Sequence, residues 1–192
     1  MKIKKIKGEI KGIVIKGILS YIQRSEKKEN IEKLKQSLKK DGLEIIWESK
    51  IKSFEWYPLS WYIILLTKSQ EILEWKEEEI FQIGYQAAKH SLIAKIFLKH
   101  FTSIEKAAQT GKNMWKQMVS VGDLSIKKLD TKNKKIIFKI ENFDIHPLVC
   151  TDIKGYMKSM GEFMVGQKNV KIKETKCSFQ GDAYHEFELD WE

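Results

Sequence analysis

Apolar and polar residues alternate along the last third of the chain, which predicts strands grouped around one helix. Apolar side chains stand at every second position at 124–126 and 136–140, with the turn-like sequence DTKN between them. This period of two predicts a hairpin. The same alternation recurs at 185–191, where the odd positions should face inward. Between these hairpin strands, a helical period beginning near Pro147 predicts a helix that ends near Gly166.

The preceding part of the chain has mainly helical spacing of apolar residues. The spacing predicts helices at 27–40, from Pro58 to about Leu73, at 77–100 and at 103–119, and Gly42 follows the first of them as a stop signal. The segment 8–22 carries three glycines and fits a strand that becomes a helix. Aromatic residues are concentrated at 47–62.

The order of these elements predicts an α+β fold. Helices come first, followed by strand, strand, helix, strand, strand, which is typical of an antiparallel sheet of about four strands packed against a helical layer. The chain has 192 residues, the usual size of one domain. We therefore expect a single domain over 1–192, with 1–50 as an N-terminal extension of it.

Composition limits the kinds of molecule that the protein is expected to bind and the compartment in which it is expected to lie. The net charge is +9, but Arg24 is the only arginine among 35 basic residues, and lysine is mixed with glutamate along the whole chain. A nucleic-acid interface usually needs arginine forks or a concentrated basic stripe, so we expect no nucleic-acid partner. Lys11 and Lys16 interrupt the apolar part of any signal peptide, and no apolar run reaches the roughly 18 residues of a membrane span. A cytoplasmic protein without a membrane span is expected.

The two C-terminal strands fit together only with an irregularity. Gly181 lies midway between Cys177 and His185, so those two side chains should oppose each other across the hairpin. Simple pairing further along would bury Lys173 and expose apolar residues. A β-bulge at 175–176 restores the apolar face and pairs Glu174 with Phe187.

This bulge places a carboxylate on the inward face beside a thiol and an imidazole. A lone buried carboxylate is costly, and a divalent cation would compensate it. Cys150, at the start of the preceding helix, is the natural fourth ligand, and the set Cys150, Glu174, Cys177 and His185 favours zinc by softness and number of ligands. The alternatives are two buried thiols, a core histidine, and a Glu174 that pairs with a lysine.

Three segments together resemble the 4-vinyl reductase domain family, a hydrocarbon-binding family related to haem nitric-oxide-binding domains and to transport-particle subunits. They are IGYQAAKHS, VCTDIKGYMKSMGEFM and ETKCSFQGDAYHEFELDW, within a resemblance that runs from about Trp56 to Trp191. Phenol-sensing members hold zinc through Cys, Glu, Cys and Cys, which correspond to the four residues named above. His185 departs from that pattern but is itself a good zinc ligand.

The resemblance also implies a cavity for a hydrophobic or aromatic molecule. Candidate ligand-binding residues are aromatic or lie on the small-residue helix: Trp56, Tyr57, Trp61, Tyr85, His90 and Trp115. The alternative for each is ordinary core packing. We expect a binding or sensor domain with a structural zinc. An enzyme, either a reductase or a zinc hydrolase, is the weaker hypothesis, since the sequence has no GxGxxG and no HExxH motif. A scaffold subunit that forms a homodimer is the third.

Overall fold

A computed structural model describes residues 6–47, 50–91, 104–166 and 169–192. In these ranges the helices are α1 (Gly12–Ser25), α2 (Lys28–Lys40), α3 (Leu59–Leu73), α4 (Glu77–His90), α5 (Ile104–Met118) and α6 (Pro147–Val165). The strands are β1 (Glu9–Lys11), β2 (Trp56–Pro58), β3 (Asp123–Asp130), β4 (Lys135–Glu141), β5 (Lys171–Lys176) and β6 (His185–Asp190). The predicted α+β class, with two C-terminal hairpins around one helix, is therefore confirmed.

The main sheet is antiparallel, with strand order β3-β4-β6-β5. Its inner face is apolar because alternate residues of β4 and β6 point the same way. Ile136, Phe138 and Ile140 are buried on β4, and Phe187 and Leu189 are buried on β6. This face packs against α6 and encloses the space that the helices cover from the other side.

The N-terminal segment forms part of the core. β1 leads directly into α1, as the glycine-rich pattern predicted, and Ile15, Ile18 and Ile22 of α1 are fully buried in the same hydrophobic cluster as the sheet residues. β1 pairs with β2 as a separate two-stranded sheet. This strand at 56–58 was not predicted, because Pro58 indicated only the start of the helix that follows.

Helices α4 and α6 cross at two glycines. A Cβ atom at Gly84 would lie 1.9 Å from the backbone oxygen of Asp152, and one at Gly155 would lie 1.9 Å from the backbone oxygen of Phe81. Only hydrogen fits at these two positions, so the helix backbones touch. The contact fixes the face of α6 that carries Asp152 against α4.

The predicted helix at 77–100 is shorter than expected. It ends at His90, and Ser91 has extended backbone angles; residues 92–103 lie outside the described part of the chain. The other predicted helix boundaries agree with the structure within one or two residues. Within the described ranges, no helix has both the length and the hydropathy needed to cross a membrane.

Candidate metal centre and ligand cavity

The C-terminal hairpin has the bulge that the sequence predicted. Glu174 pairs with Phe187 and Ile172 with Leu189, and the register shifts between Glu174 and Lys176. The shift leaves Glu174 turned toward the buried side of the sheet. Beyond the bulge, Cys177 precedes a short 3₁₀ turn at Ser178–Gln180, and Gly181 with φ of 97° closes the connection, a conformation that favours glycine.

The four predicted metal ligands come together at this end of the hairpin. One ligand atom from each of Cys150, Glu174, Cys177 and His185 lies within 4.8 Å of the other three. The Cys150 sulfur is 3.6 Å from Nδ1 of His185, and the same nitrogen is 3.2 Å from Oε1 of Glu174. These separations suit one tetrahedral ion, whose bonds to sulfur, nitrogen and oxygen are about 2.0–2.3 Å long.

The second ring nitrogen of His185 is held by a serine. Nε2 lies 2.7 Å from Oγ of Ser178, and with Nε2–H as the donor, Nδ1 presents its lone pair to the thiols and the carboxylate. Metal-ligating histidines are usually oriented by such a partner on the other nitrogen. Ser178 follows Cys177 directly, so sequence reasoning could have found it as the residue beside a predicted ligand.

Burial controls the protonation of the two thiols. It raises the pKa of Cys150 well above the ordinary value, and the negative charge of Glu174 raises it further. Burial also raises the pKa of Cys177. A cation entering the cluster must therefore displace protons from sulfur. With four protein ligands, the arrangement can hold a metal for structure but offers no open position for a catalytic water.

A cavity of about 640 Å³ lies between the helices and the inner face of the sheet. That volume is within the range of drug-sized ligand sites. Most of its wall is apolar and comes from every layer of the fold, including Ile10, Leu59, Ile83, Phe138, Met157 and Leu189. The cavity can therefore accept a hydrophobic molecule much larger than a single aromatic ring.

Two of the six predicted ligand-binding residues line this cavity. Trp115 lines it and donates its indole N–H to the backbone oxygens of Val121 and Gly122. His90 also lines it, at the exposed C-terminal end of α4.

The other four predicted residues lie away from the cavity wall and have other contacts. Trp56 is 37% exposed and lies under the ammonium of Lys11. Tyr57 and Trp61 pack against each other with ring centroids 5.6 Å apart. The Tyr85 hydroxyl donates to Glu162 over 2.7 Å. Aromatic density in the sequence did not indicate which side of each element faces the cavity.

Asp152 is a polar residue in the cavity wall that the sequence analysis did not select. It is only 8% exposed, and it lines the cavity together with Tyr62 and Tyr156. The Tyr62 hydroxyl donates a hydrogen bond to Oδ2 of Asp152, whereas Oδ1 is buried without a hydrogen-bond partner among the described residues. Burial raises the pKa of Asp152 to about 7, against the lowering effect of the Tyr62 hydrogen bond. Its position between Val149 and Tyr156 on one helical face was the available signal.

Comparison with known proteins shows what fold this is. Neither a protein-family model nor a curated protein matches the chain. Among solved structures, an H-NOX protein from S. oneidensis in the Fe(II)NO ligation state has a TM-score of 0.67 at 13% identity, covering 95% of this chain and 99% of that one. An Fe(II) unliganded H-NOX protein mutant from K. algicida has a TM-score of 0.64 at 13% identity, covering 94% and 96%.

A third solved structure shares the fold over part of the chain. A trafficking protein particle complex subunit 3 from Naegleria fowleri, covalently bound to palmitic acid, has a TM-score of 0.51 at 11% identity and covers 68% of this chain and 90% of that one. At such identities the likeness concerns the fold, which this chain shares with the H-NOX proteins over nearly its whole length and with the trafficking subunit over two thirds of it.

Proposed function

We propose that the chain is a small-molecule binding or sensor domain whose ligand is hydrophobic or aromatic and is held in the cavity between helices and sheet. The observation that carries the proposal is the 640 Å³ cavity with its largely apolar wall, since a void of this size would cost stability if it served only for packing. The shared fold supports it, because one protein of that fold is bound to palmitic acid. The 4-vinyl reductase domain remains the family that we propose from the sequence resemblance.

A titration with a fluorescent hydrocarbon tests this proposal. Diphenylhexatriene fluoresces when it leaves water for an apolar site, and we expect saturable binding of one molecule per chain. Ile153→Phe adds volume at the cavity wall and should weaken binding, while Ile172→Phe, on β5 and not on the wall, should leave it unchanged. Non-saturable binding, or equal effects of the two variants, would contradict the proposal.

We propose further that Cys150, Glu174, Cys177 and His185 hold a structural zinc ion. The mixed set of two sulfurs, one nitrogen and one oxygen within 4.8 Å supports zinc, and the serine behind His185 supports a metal rather than a simple polar cluster. When bound, zinc would tie the start of α6 to the hairpin of β5 and β6. We expect no catalysis from it.

Metal analysis by mass spectrometry tests the zinc proposal. Protein purified without chelator should contain about one zinc per chain, and Glu174→Gln should lower the zinc affinity about tenfold or more. Glu188→Gln is the matched control, since Glu188 is on the same hairpin and pairs with Lys135 at 2.9 Å instead of facing the cluster. Zinc-free wild-type protein that stays zinc-free after incubation with the metal would exclude the site.

Haem binding is the second candidate function, and two observations favour it. The fold is that of the H-NOX proteins, and His90 and Arg24 both line the cavity. An imidazole is a common iron ligand, and a guanidinium suits a propionate, so His90 would hold the iron and Arg24 a carboxylate. Bound haem would supply an iron atom able to bind a diatomic gas.

Haem stays second because His90 is exposed at the end of its helix. Titration with haemin, followed by absorbance, separates the two candidates. A sharp Soret band that is lost in His90→Ala but kept in Lys89→Ala would favour haem. Diphenylhexatriene binding without such a band would favour the hydrophobic ligand.

Location and assembly remain proposals from the sequence. We propose a cytoplasmic protein that forms a homodimer, with any signal passed to a partner through that surface. Light scattering on the purified chain tests the dimer, and a mass of about 22.6 kDa would exclude it.

A further inference from the structure

The wall of the cavity is mostly apolar, and the charged residues that line it are Lys16, Arg24 and Asp152, of which Asp152 is the buried one. Asp152 lies in the second turn of α6, where the close contact between Gly84 and the Asp152 backbone holds the helix against α4. At 8% exposure its carboxyl group has little access to bulk water. The cavity is therefore the space from which a partner for this group can come.

The two oxygens of Asp152 have different surroundings. Oδ2 accepts the hydrogen bond of the Tyr62 hydroxyl, which fixes the orientation of the carboxyl group. Oδ1 has no partner among the described residues. Buried polar atoms are nearly always paired. Oδ1 is closed to a water-sized probe, so a ligand donor reaches it only with a small shift of the neighbouring side chains, and that donor then supplies the missing partner.

The size of the cavity constrains the rest of the ligand. A volume of about 640 Å³ leaves room for an extended or bulky apolar body beyond the group that reaches Asp152. A carboxylate head group would bring a second acid to a buried acid, which is unfavourable at short range. A head group that donates a hydrogen bond is favourable, whether it is a hydroxyl or an amine.

We propose that Asp152, oriented by Tyr62, is the specificity-determining residue of the cavity and selects amphiphiles that carry a hydrogen-bond-donating head group on an apolar body. This inference rests on the proposed hydrophobic-ligand function and narrows its ligand class. Tyr62 is a positioning residue, because its hydroxyl contacts the carboxyl group and holds Oδ1 in place.

The test is competition against diphenylhexatriene with four matched 12-carbon or equal-length compounds. They are 1-dodecanol, dodecylamine, 1-methoxyundecane, which has the same number of heavy atoms as dodecanol but no donor, and laurate. We expect dodecanol to compete about tenfold better than the ether, as one hydrogen bond to a buried acceptor allows. Dodecylamine should also exceed the ether. Because Lys16 and Arg24 line the same cavity and can pair with a carboxylate, laurate is compared between the wild type and Asp152→Leu, and this variant should not weaken it.

Variants assign the preference to the residue. Asp152→Leu should bring the ratio between dodecanol and the ether to about one while diphenylhexatriene still binds. Asp152→Asn, which keeps the shape and an acceptor for Tyr62, should reduce the ratio and provides the test if the leucine variant does not fold. Asp123→Asn, at a carboxylate outside the cavity that pairs with Lys116, should leave the ratio at its wild-type value.

The outcomes separate the two proposals. If diphenylhexatriene binds but dodecanol and the ether compete equally in the wild type, the role of Asp152 is refuted and the hydrophobic cavity stands. Laurate weakened as much as dodecanol by Asp152→Leu, or a ratio unchanged by both Asp152 variants, refutes it in the same way. If diphenylhexatriene does not bind the wild type at all, both proposals fall together.

Discussion

Replacing Gly84 by alanine tests whether the contact between α4 and α6 is as close as the structure indicates. The new methyl carbon would lie 1.9 Å from the backbone oxygen of Asp152 and 2.8 Å from the backbone nitrogen of Tyr156. Neither atom can rotate away, because both belong to the backbone of α6. The two helices must therefore separate by more than an ångström along this contact.

The size of the effect follows from two opposing terms. Overpacking of a tight core typically costs about 1–3 kcal/mol, and lost contacts between the helices add to it, while alanine gains about 1 kcal/mol over glycine in helix propensity. We expect Gly84→Ala to lower the free energy of unfolding by about 2 kcal/mol. In a chain of this length that corresponds to a fall in Tm of about 4–8 °C.

Gly111→Ala is the matched control, since it makes the same substitution inside a helix. A Cβ at Gly111 would have no atom within 4 Å, so only the propensity gain remains, and Tm should rise by about 2–4 °C. Thermal unfolding followed by circular dichroism measures both variants. Opposite signs are the expected result. If Gly84→Ala is as stable as the wild type, or both variants move in the same direction, the inferred helix contact is wrong.

Three further predictions concern stability. Removing zinc with a chelator should lower Tm, and adding zinc back should restore it, because a metal that binds only the folded state adds its binding free energy to the free energy of unfolding. An unchanged Tm would contradict a structural metal. Trp75→Phe should lower the free energy of unfolding by about 1 kcal/mol in denaturant titrations, since it deletes the 2.8 Å hydrogen bond from the indole to Glu26. Lys127→Met should lower the free energy of unfolding only slightly at pH 7, because water screens the half-exposed lysine that bonds Glu186 at 2.6 Å. Lys127 holds the pKa of Glu186 below its ordinary value, so this stabilisation is present above the pKa of Glu186 in the unfolded chain and disappears as pH falls through its pKa in the folded protein. The stability difference between variant and wild type should therefore shrink in acid. A difference that grows in acid would show that the pairing is not ionic.

The grouping of Glu174, Cys177 and His185 was predictable because local rules within one hairpin determine it. Alternation in β6 fixed its inward face, and burying Val170 and Ile172 on the facing strand required one extra residue near Thr175. The bulge in turn placed Glu174 beside Cys177 and His185, as the register now shows. Each step used neighbours in one hairpin, where side-chain direction follows directly from the period of two.

The cavity was less predictable because its wall comes from distant segments. The sequence put Trp56 in a cluster of aromatic residues, but pairing between β1 and β2 leaves it on the outside under Lys11. Tyr62 and Asp152 meet across 90 positions of sequence. Helical spacing alone places each on an apolar face and cannot say that the two faces meet.

One helix connects the two candidate sites. Cys150 and Asp152 are both near the start of α6, and two positions on an α-helix are about 200° apart around its axis. Cys150 therefore points to the hairpin of β5 and β6 while Asp152 points to α3 and α4. A metal bound to Cys150 would fix the rotation of this helix about its axis, and the glycine contact fixes its distance from α4. With a metal bound, the position of the Asp152 carboxyl group in the cavity would depend on both constraints, so the proposed metal would help to shape the proposed ligand site without touching the ligand.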